Sequence, residues 1–236
     1  MDKAKILIIA TSAGKMDNGE PTGVWLEELT TPYYAFLDSG ADVTLSSVSG
    51  GGIPIDARSI APEGENDASV ERYLKDTALQ NAVQSTQSFM DHAAGEFDAV
   101  FLPGGHGTMF DYPTSQELAS LIETFDRDGK IVAAVCHGPA GLVSARSRDG
   151  SAFVKGRKVA AFTDSEEHAV GLQDAVPFLL ETRLRELGAH YVSAPDFQSF
   201  AVRDGNLVTG QNPASAQQTA SLVMDAIRED TSRLAS

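Results

Sequence analysis

Short apolar runs alternate along this chain with stretches of helical periodicity, and this alternation limits the possible folds more than any other feature of the sequence. The strand-like apolar runs are residues 6–10, 43–48, 99–102, 131–135, 159–162 and, more weakly, 191–192. Leucine or phenylalanine recurs three and four residues apart, as in amphipathic helices, in stretches 25–40, 115–130 and 176–190. Strands that alternate with helices form a mostly parallel sheet covered on both faces. We therefore predict a doubly wound α/β fold.

Two parts of the chain depart from this alternation. Residues 200–210 indicate a hairpin around Asp204 and Gly205, and a last helix follows at about residues 213–227. Residues 50–98 are rich in glycine, proline and acidic residues, with nine acidic against three basic side chains, and have no clear strand pattern. We predict that residues 1–236 form one domain with an insertion of loops and short helices at about 50–98.

Charge and cysteine content exclude several classes of protein. Acidic residues outnumber basic ones by 33 to 18, for a net charge of −15, and such a surface repels nucleic-acid phosphates and anionic lipid. No stretch approaches the ~18 apolar residues that cross a bilayer, and the first residues make a poor signal peptide. We expect a cytoplasmic protein with no nucleic-acid or membrane partner. The single cysteine rules out a disulfide within the chain and a two-cysteine metal site.

That cysteine, Cys136, lies where the apolar run 131–135 ends, in the sequence IVAAVCHGPAGL. A nucleophile placed where a strand turns sharply into a helix is typical of a nucleophile elbow, and the small residues after Cys136 suit a crowded turn. The N-terminus of such a helix is expected to lower the thiol pKa. The alternative interpretation is a small buried side chain at the end of a strand. The adjoining His137 favours the nucleophile.

A second glycine-rich turn follows the apolar run 99–102, in the sequence PGGHGTMFDYP. Glycines at such a turn let backbone N–H groups approach a ligand, as in an oxyanion hole, although an ordinary turn has the same composition. His106, among these glycines, either lines the pocket or caps a surface loop. Polar candidates elsewhere, among which periodicity selects none, are Glu27, Glu28, Glu166, Glu167 and His168.

These motifs together resemble the ThiJ/PfpI superfamily, in its glyoxalase III and heat-shock-chaperone-like branch. The resemblance covers nearly the whole chain, in order, through PTGVWLEEL, GGHGTMFDYP, AAVCHGPAGL, FTDSEE and LVTGQNPASA. It implies a flavodoxin-like α/β sandwich, the fold of the type 1 glutamine amidotransferases, in a homodimer. It implies no cofactor. A metal site occurs in one branch of the superfamily, but its ligands cannot be placed on this sequence, so no metal is predicted.

The resemblance also assigns site residues by position. The family's nucleophile falls on Cys136 and its histidine on His137. The acid that orients the histidine falls on Glu167, at the end of FTDSEE, and the adjacent Glu166 is the rival because one inserted residue would exchange the two.

The activity implied by the resemblance is that of a glutathione-independent glyoxalase, which converts methylglyoxal, a small dicarbonyl, and water into lactate through a hemithioacetal on the cysteine. The glutamate that contacts the cysteine falls on Glu28, which is expected to be protonated beside the sulfur. The oxyanion positions fall on Gly105 and the amide of His137, and His106 is a substrate-binding candidate. Either His137 or Glu28 moves the proton between the two carbons.

Four other functions are weighed against this one. Repair of glycated protein or nucleotide needs the same thiol. A holdase chaperone needs an exposed apolar patch, for which Trp25, Phe36 and Phe89 are the candidates. A peptidase is less favoured. A glutaminase is disfavoured, because none of the five histidines is followed two positions later by glutamate.

Overall fold

The computed structural model describes residues 3–234, which contain a mostly parallel seven-stranded sheet and a parallel two-stranded sheet. The strands are β1 (Lys5–Ala10), β2 (Asp42–Ser47), β3 (Gln87–Ser88), β4 (Ala99–Leu102), β5 (Ile131–Val135), β6 (Lys158–Val159), β7 (His190–Tyr191), β8 (Ala201–Asp204) and β9 (Leu207–Gly210). Seven of them form the central sheet in the order β3-β2-β1-β4-β5-β9-β8, in which only β8 is antiparallel to its neighbour. Strands β6 and β7 pair separately.

Helices cover both faces of the central sheet. They are α1 (Leu26–Asp38), α2 (Ala68–Tyr73), α3 (Thr77–Gln84), α4 (Thr108–Asp111), α5 (Gln116–Arg127), α6 (Asp164–Val170), α7 (Leu180–Glu186) and α8 (Ala216–Leu234). Side chains alternate along β1: Ile6 and Ile8 pack in the core beneath α1 and α8, whereas Leu7 and Ile9 pack beneath α5 and α7. The predicted mostly parallel sheet with helices on both faces is confirmed.

One predicted strand lies elsewhere. Within the run 159–162 only Val159 is in a strand, and that strand, β6, pairs with β7 outside the central sheet, because antiparallel β8 occupies the edge beside β9. The rest of the run crosses the carboxyl ends of the central strands. Its Phe162 N–H donates to the Cys136 carbonyl over 2.9 Å, which brings the start of α6 next to the cysteine.

Residues 50–98 lie between β2 and β4 and contain α2, α3 and the edge strand β3. The Tyr34 hydroxyl of α1 donates to the Asp76 carboxylate over 3.0 Å, which fastens this segment to the helix. The sequence does not predict β3, because two residues carry no alternation. Among residues 3–234, no helix is both long and apolar enough to span a bilayer.

Candidate active site

Cys136 directly follows β5, at the edge of the sheet where ligands bind in open α/β folds. Its backbone is in the left-handed region, with φ +58°, which is strained for a residue with a side chain. The Cys136 N–H donates to the Gly210 carbonyl over 3.0 Å, and its own carbonyl accepts from Phe162. Gly138 completes the turn, since a Cβ there would lie 2.2 Å from the Leu102 oxygen. The backbone therefore holds the thiol in one fixed position.

The resting thiol is protonated. Cys136 is 3 % exposed, and burial raises the pKa of its thiol well above the ordinary value. Burial opposes the lowering expected from a helix N-terminus, and a five-residue 3-10 helix, Gly138–Leu142, follows the cysteine in place of an α-helix. The thiol therefore needs a base, and His137 Nδ1 lies 3.3 Å from Sγ.

Glu167 holds that base in position. Its Oε2 lies 2.7 Å from His137 Nε2, in the first turn of α6. Burial by itself raises the pKa of Glu167, but the attraction of His137 and the hydrogen bonds from His106 and His137 outweigh it and hold the pKa below the ordinary value of 4.5. An ionised carboxylate only accepts hydrogen bonds, so the Nε2 of His137 carries the hydrogen that is donated to Glu167. The Nδ1 of His137 then faces the thiol with a free lone pair.

Glu166, the rival for that position, faces other partners. Its Oε1 accepts from the Phe197 N–H over 2.7 Å and from the side-chain amides of Gln211 and Asn212 over 3.1 and 2.8 Å. Its Oε2 accepts from the Thr163 N–H over 2.9 Å and closes a capping box at the start of α6. Glu167 therefore contacts the histidine, and Glu166 ties α6 to two distant segments.

His106 lies against the same carboxylate. Its Nε2 is 2.8 Å from Glu167 Oε1, and its ring centroid is 4.1 Å from that of His137. Burial, and next the proximity of His137, lower the pKa of His106 to about 4. The sequence offers no signal for this second contact to Glu167, because the two residues are 61 positions apart.

One donor atom from each of His106, His137 and Glu167 lies within 4.8 Å of the others, in a set that can hold a metal ion. In the structure these atoms are hydrogen-bonded to one another. A metal ion would have to replace both hydrogen bonds.

Glu28 lies in the first turn of α1 and is fully buried. Its Oε2 accepts from the Gly104 N–H over 2.9 Å. Burial raises the pKa of Glu28 well above 4.5, and its interactions with Cys136 and the Gly104 N–H offset only part of that effect. Burial therefore favours the neutral carboxylic acid form of Glu28 beside the sulfur.

The turn after β4 supplies the last part of the site. At Gly105, where φ is +97°, a Cβ would lie 2.4 Å from both the Gly23 oxygen and the Trp25 nitrogen, so only glycine fits. Within residues 3–234, the N–H groups of Gly105 and His137 donate to no other protein group. Thr108 Oγ1 lies 2.9 Å from the Gly105 carbonyl oxygen and 3.1 Å from that of His137, which joins the two turns. Two free N–H groups beside a thiol are what an oxyanion hole requires.

These groups surround a cavity of about 120 Å³, the volume of about four water molecules. Its walls are Trp25, Glu28, Gly105, His106, Cys136, His137, Phe162, Val170, Phe197 and Pro213. A larger cavity of about 810 Å³, between α1, α2 and α8, has no cysteine or histidine in its walls. The structure thus brings Glu28, Gly105, His106, Cys136 and His137 to one small cavity, and Glu167 contacts its two histidines from behind. Of the other polar candidates, Glu27 lines the larger cavity, and Glu166 and His168 line neither. The sequence gives no signal for the aromatic walls Phe162 and Phe197.

Comparisons with known proteins agree with this architecture. The sequence profile of the DJ-1/PfpI family matches residues 22–226. Glyoxalase 3 of Candida albicans is 31 % identical over 231 residues, covering 94 % of this chain and 98 % of that protein. The glutathione-independent glyoxalase HSP31 of Saccharomyces cerevisiae is 30 % identical and covers 97 % and 100 %.

Solved structures agree as well. The crystal structure of Candida albicans glyoxalase III superposes with a TM-score of 0.84 at 30 % identity, covering 94 % of this chain and 97 % of that one. The Rapid Encystment Protein of Francisella tularensis superposes with a TM-score of 0.90 at 36 % identity, covering 95 % and 99 %.

Proposed function

The chain belongs to the DJ-1/PfpI family, and we propose that it is a glutathione-independent glyoxalase, an enzyme that converts methylglyoxal and water to lactate with Cys136 as the nucleophile. The observation that carries this proposal is the buried relay from Cys136 through His137 to Glu167, with separations of 3.3 and 2.7 Å. The small cavity beside it suits a substrate of five non-hydrogen atoms. The relatives named as glyoxalases span almost the whole chain.

The first step is addition of the thiol to the aldehyde. Sγ bonds to C1 as His137 Nδ1 takes the S–H proton, and the carbonyl π pair moves onto the aldehyde oxygen. The free N–H groups of Gly105 and His137 stabilise the charge on that oxygen. The ionised Glu167 stabilises the imidazolium that forms on His137. Return of the proton to the oxygen gives a neutral hemithioacetal.

In the second step C1 is oxidised to the level of a carboxylic acid and C2 is reduced to an alcohol. The hydrogen on C1 leaves as a proton, an enediolate forms, and protonation at C2 gives a lactoyl thioester on Cys136. Water then attacks the thioester carbonyl, the sulfur leaves with its bonding pair, and His137 returns the proton to it. The sum is methylglyoxal plus water to lactate plus a proton, with no external oxidant or reductant.

The test is lactate formation from methylglyoxal without added glutathione, comparing wild type with Cys136→Ser. We expect lactate from wild type, and a loss of at least about 10³-fold in the serine variant, whose thermal unfolding should match wild type. Equal rates from the two proteins would contradict the role of Cys136. Absence of lactate from wild type would contradict the activity itself.

Three alternatives need separate assays. A deglycase would release glycated amines under conditions that scavenge free methylglyoxal, and no release there would exclude it. The chaperone interpretation loses two of its aromatic candidates, because Phe36 and Phe89 are buried at 0 and 3 % exposure. The chaperone interpretation would still be supported if Cys136→Ala suppressed the aggregation of a client protein as well as wild type does. A cavity of about 120 Å³ is too small for a peptide substrate.

The homodimer implied by the resemblance and the cytoplasmic location expected from the sequence stay predictions. Sedimentation equilibrium across a range of concentrations tests the homodimer, and cell fractionation tests the location.

A further inference from the structure

One imidazole nitrogen of His106 is hydrogen-bonded and the other has no hydrogen-bond partner among the described residues. Its Nε2 lies 2.8 Å from Glu167 Oε1, whereas its Nδ1 is buried and has no hydrogen-bond partner among the described residues. The whole side chain is buried, at 5 % exposure, and borders the same cavity as Cys136 and Gly105. A buried nitrogen without a partner is costly, so it needs an explanation.

The two contacts to Glu167 fix the tautomer of His106. An ionised carboxylate only accepts hydrogen bonds, so the Nε2 of each histidine must carry its proton. Burial beside His137 keeps the second proton off His106 at neutral pH, since the pKa of this imidazole is about 4. His106, whose side chain lines the reaction cavity, therefore keeps an unprotonated Nδ1 lone pair that has no hydrogen-bond partner among the described residues.

The other two candidate bases have other roles in the reaction. Burial raises the pKa of Glu28 and favours its protonated form, which is a poor proton acceptor. His137 Nδ1 faces the sulfur at 3.3 Å and serves the S–H proton. Among the described residues that line this cavity, His106 is the remaining neutral imidazole.

We propose that His106 Nδ1 is the base that takes the proton from C1 of the hemithioacetal and returns it to C2. The C1–H bonding pair becomes the C1=C2 bond, and the C2=O π pair moves onto that oxygen. In the return step the C1=C2 pair takes the proton from Nδ1 at C2. The C1 hydroxyl gives its proton to the C2 oxygen, and its bonding pair completes the thioester carbonyl. The proposal rests on the glyoxalase function above and assigns His106 a catalytic role in place of a positioning one.

The informative variant is His106→Gln, because a glutamine amide can still donate to Glu167 but has no basic lone pair. We expect kcat to fall about 10²- to 10⁴-fold. Alkylation of Cys136 by iodoacetamide without substrate should stay within about threefold of wild type, since the relay through His137 is intact. With methylglyoxal deuterated at C1, the His106→Gln variant should show a full primary isotope effect on kcat. The exposed His190 in β7 supplies the matched control, His190→Gln, which should match wild type in all three measurements.

A second variant tests the proposal independently if the glutamine substitution disturbs folding. His106→Ala opens a space for a small base, and added imidazole should restore lactate formation in proportion to its concentration, with no rescue of Cys136→Ser. Three results would overturn the proposal. The first is a kcat for His106→Gln within threefold of wild type. The second is a fall in the rate of Cys136 alkylation as large as the fall in kcat. The third is a His106→Gln protein that is slow but shows no isotope effect with deuterated methylglyoxal. Failure of wild type to form lactate is a different result, because it removes the glyoxalase function and this step with it.

Discussion

Glu28 and Glu167 are two buried carboxyl groups around one thiol, and their surroundings shift their pKa values in opposite directions. Glu28 accepts from a single backbone N–H, and burial, the largest effect on its pKa, favours its neutral form. Glu167 lies between two imidazoles, whose hydrogen bonds outweigh a similar burial and keep it ionised. The comparison shows that the partners of a buried carboxyl, more than its burial, decide whether it donates or accepts a proton.

The largest effect on this comparison should come from Glu167→Gln. Glutamine can donate towards His137 Nε2, which favours the tautomer with its hydrogen on Nδ1, and that nitrogen then cannot take the thiol proton. We expect kcat for lactate formation to fall about 10²- to 10⁴-fold. Stability should fall by about 3 kcal/mol at pH 7, measured by urea unfolding.

The control for Glu167→Gln is Glu117→Gln, the same change at an exposed position in α5. It should leave kcat and stability unchanged. A Glu167→Gln protein with the wild-type kcat would show that His137 needs no ionised acceptor, and the contrast between the two carboxyl groups would lose its functional meaning.

A third buried glutamate, Glu166, should affect the stability of the fold more than catalysis. Its oxygens accept from Phe197, Gln211, Asn212 and Thr163, so Glu166→Gln turns an NH₂ group towards other donors. We expect a loss of about 2 kcal/mol in the free energy of unfolding, with kcat within about tenfold of wild type. A kcat loss as large as that of Glu167→Gln, in a protein that stays folded, would make Glu166 part of the chemistry.

The sequence predicts the scaffold better than the contacts between distant residues. The central apolar runs have clear periodicity, and β4 and β5 begin and end where those runs do. The glycine-rich turns and Cys136 follow directly from such strand ends. In contrast, the choice between Glu166 and Glu167 depends on which way the first turn of α6 faces, and the pairing of His106 with Glu167 spans 61 residues. Local patterns carry no information on either.

The smallest and most diagnostic effect is expected from Glu28→Gln, which should be more stable than wild type at neutral pH. The folded-state pKa of Glu28 lies above its ordinary value of 4.5, so its contribution to stability is fully present below pH 4.5 and is lost as the pH rises towards the folded-state pKa. Glutamine is neutral at every pH, can accept from the Gly104 N–H, and avoids this loss. We expect the variant to gain on the order of 1 kcal/mol over wild type between pH 4.5 and 7 in urea unfolding.

Glu167→Gln should change with pH in the opposite sense. The folded-state pKa of Glu167 lies below 4.5, so its contribution is present above pH 4.5 and is lost as the pH falls through the folded-state value. The stability deficit of Glu167→Gln should therefore shrink as the pH falls below 4.5, whereas the advantage of Glu28→Gln disappears as the pH falls from 7 to 4.5. Two curves of stability difference against pH with the same slope would mean that both carboxyl groups share one charge state. Opposite slopes would establish that the thiol has a neutral acid on one side and an ionised, histidine-bound carboxylate behind His137.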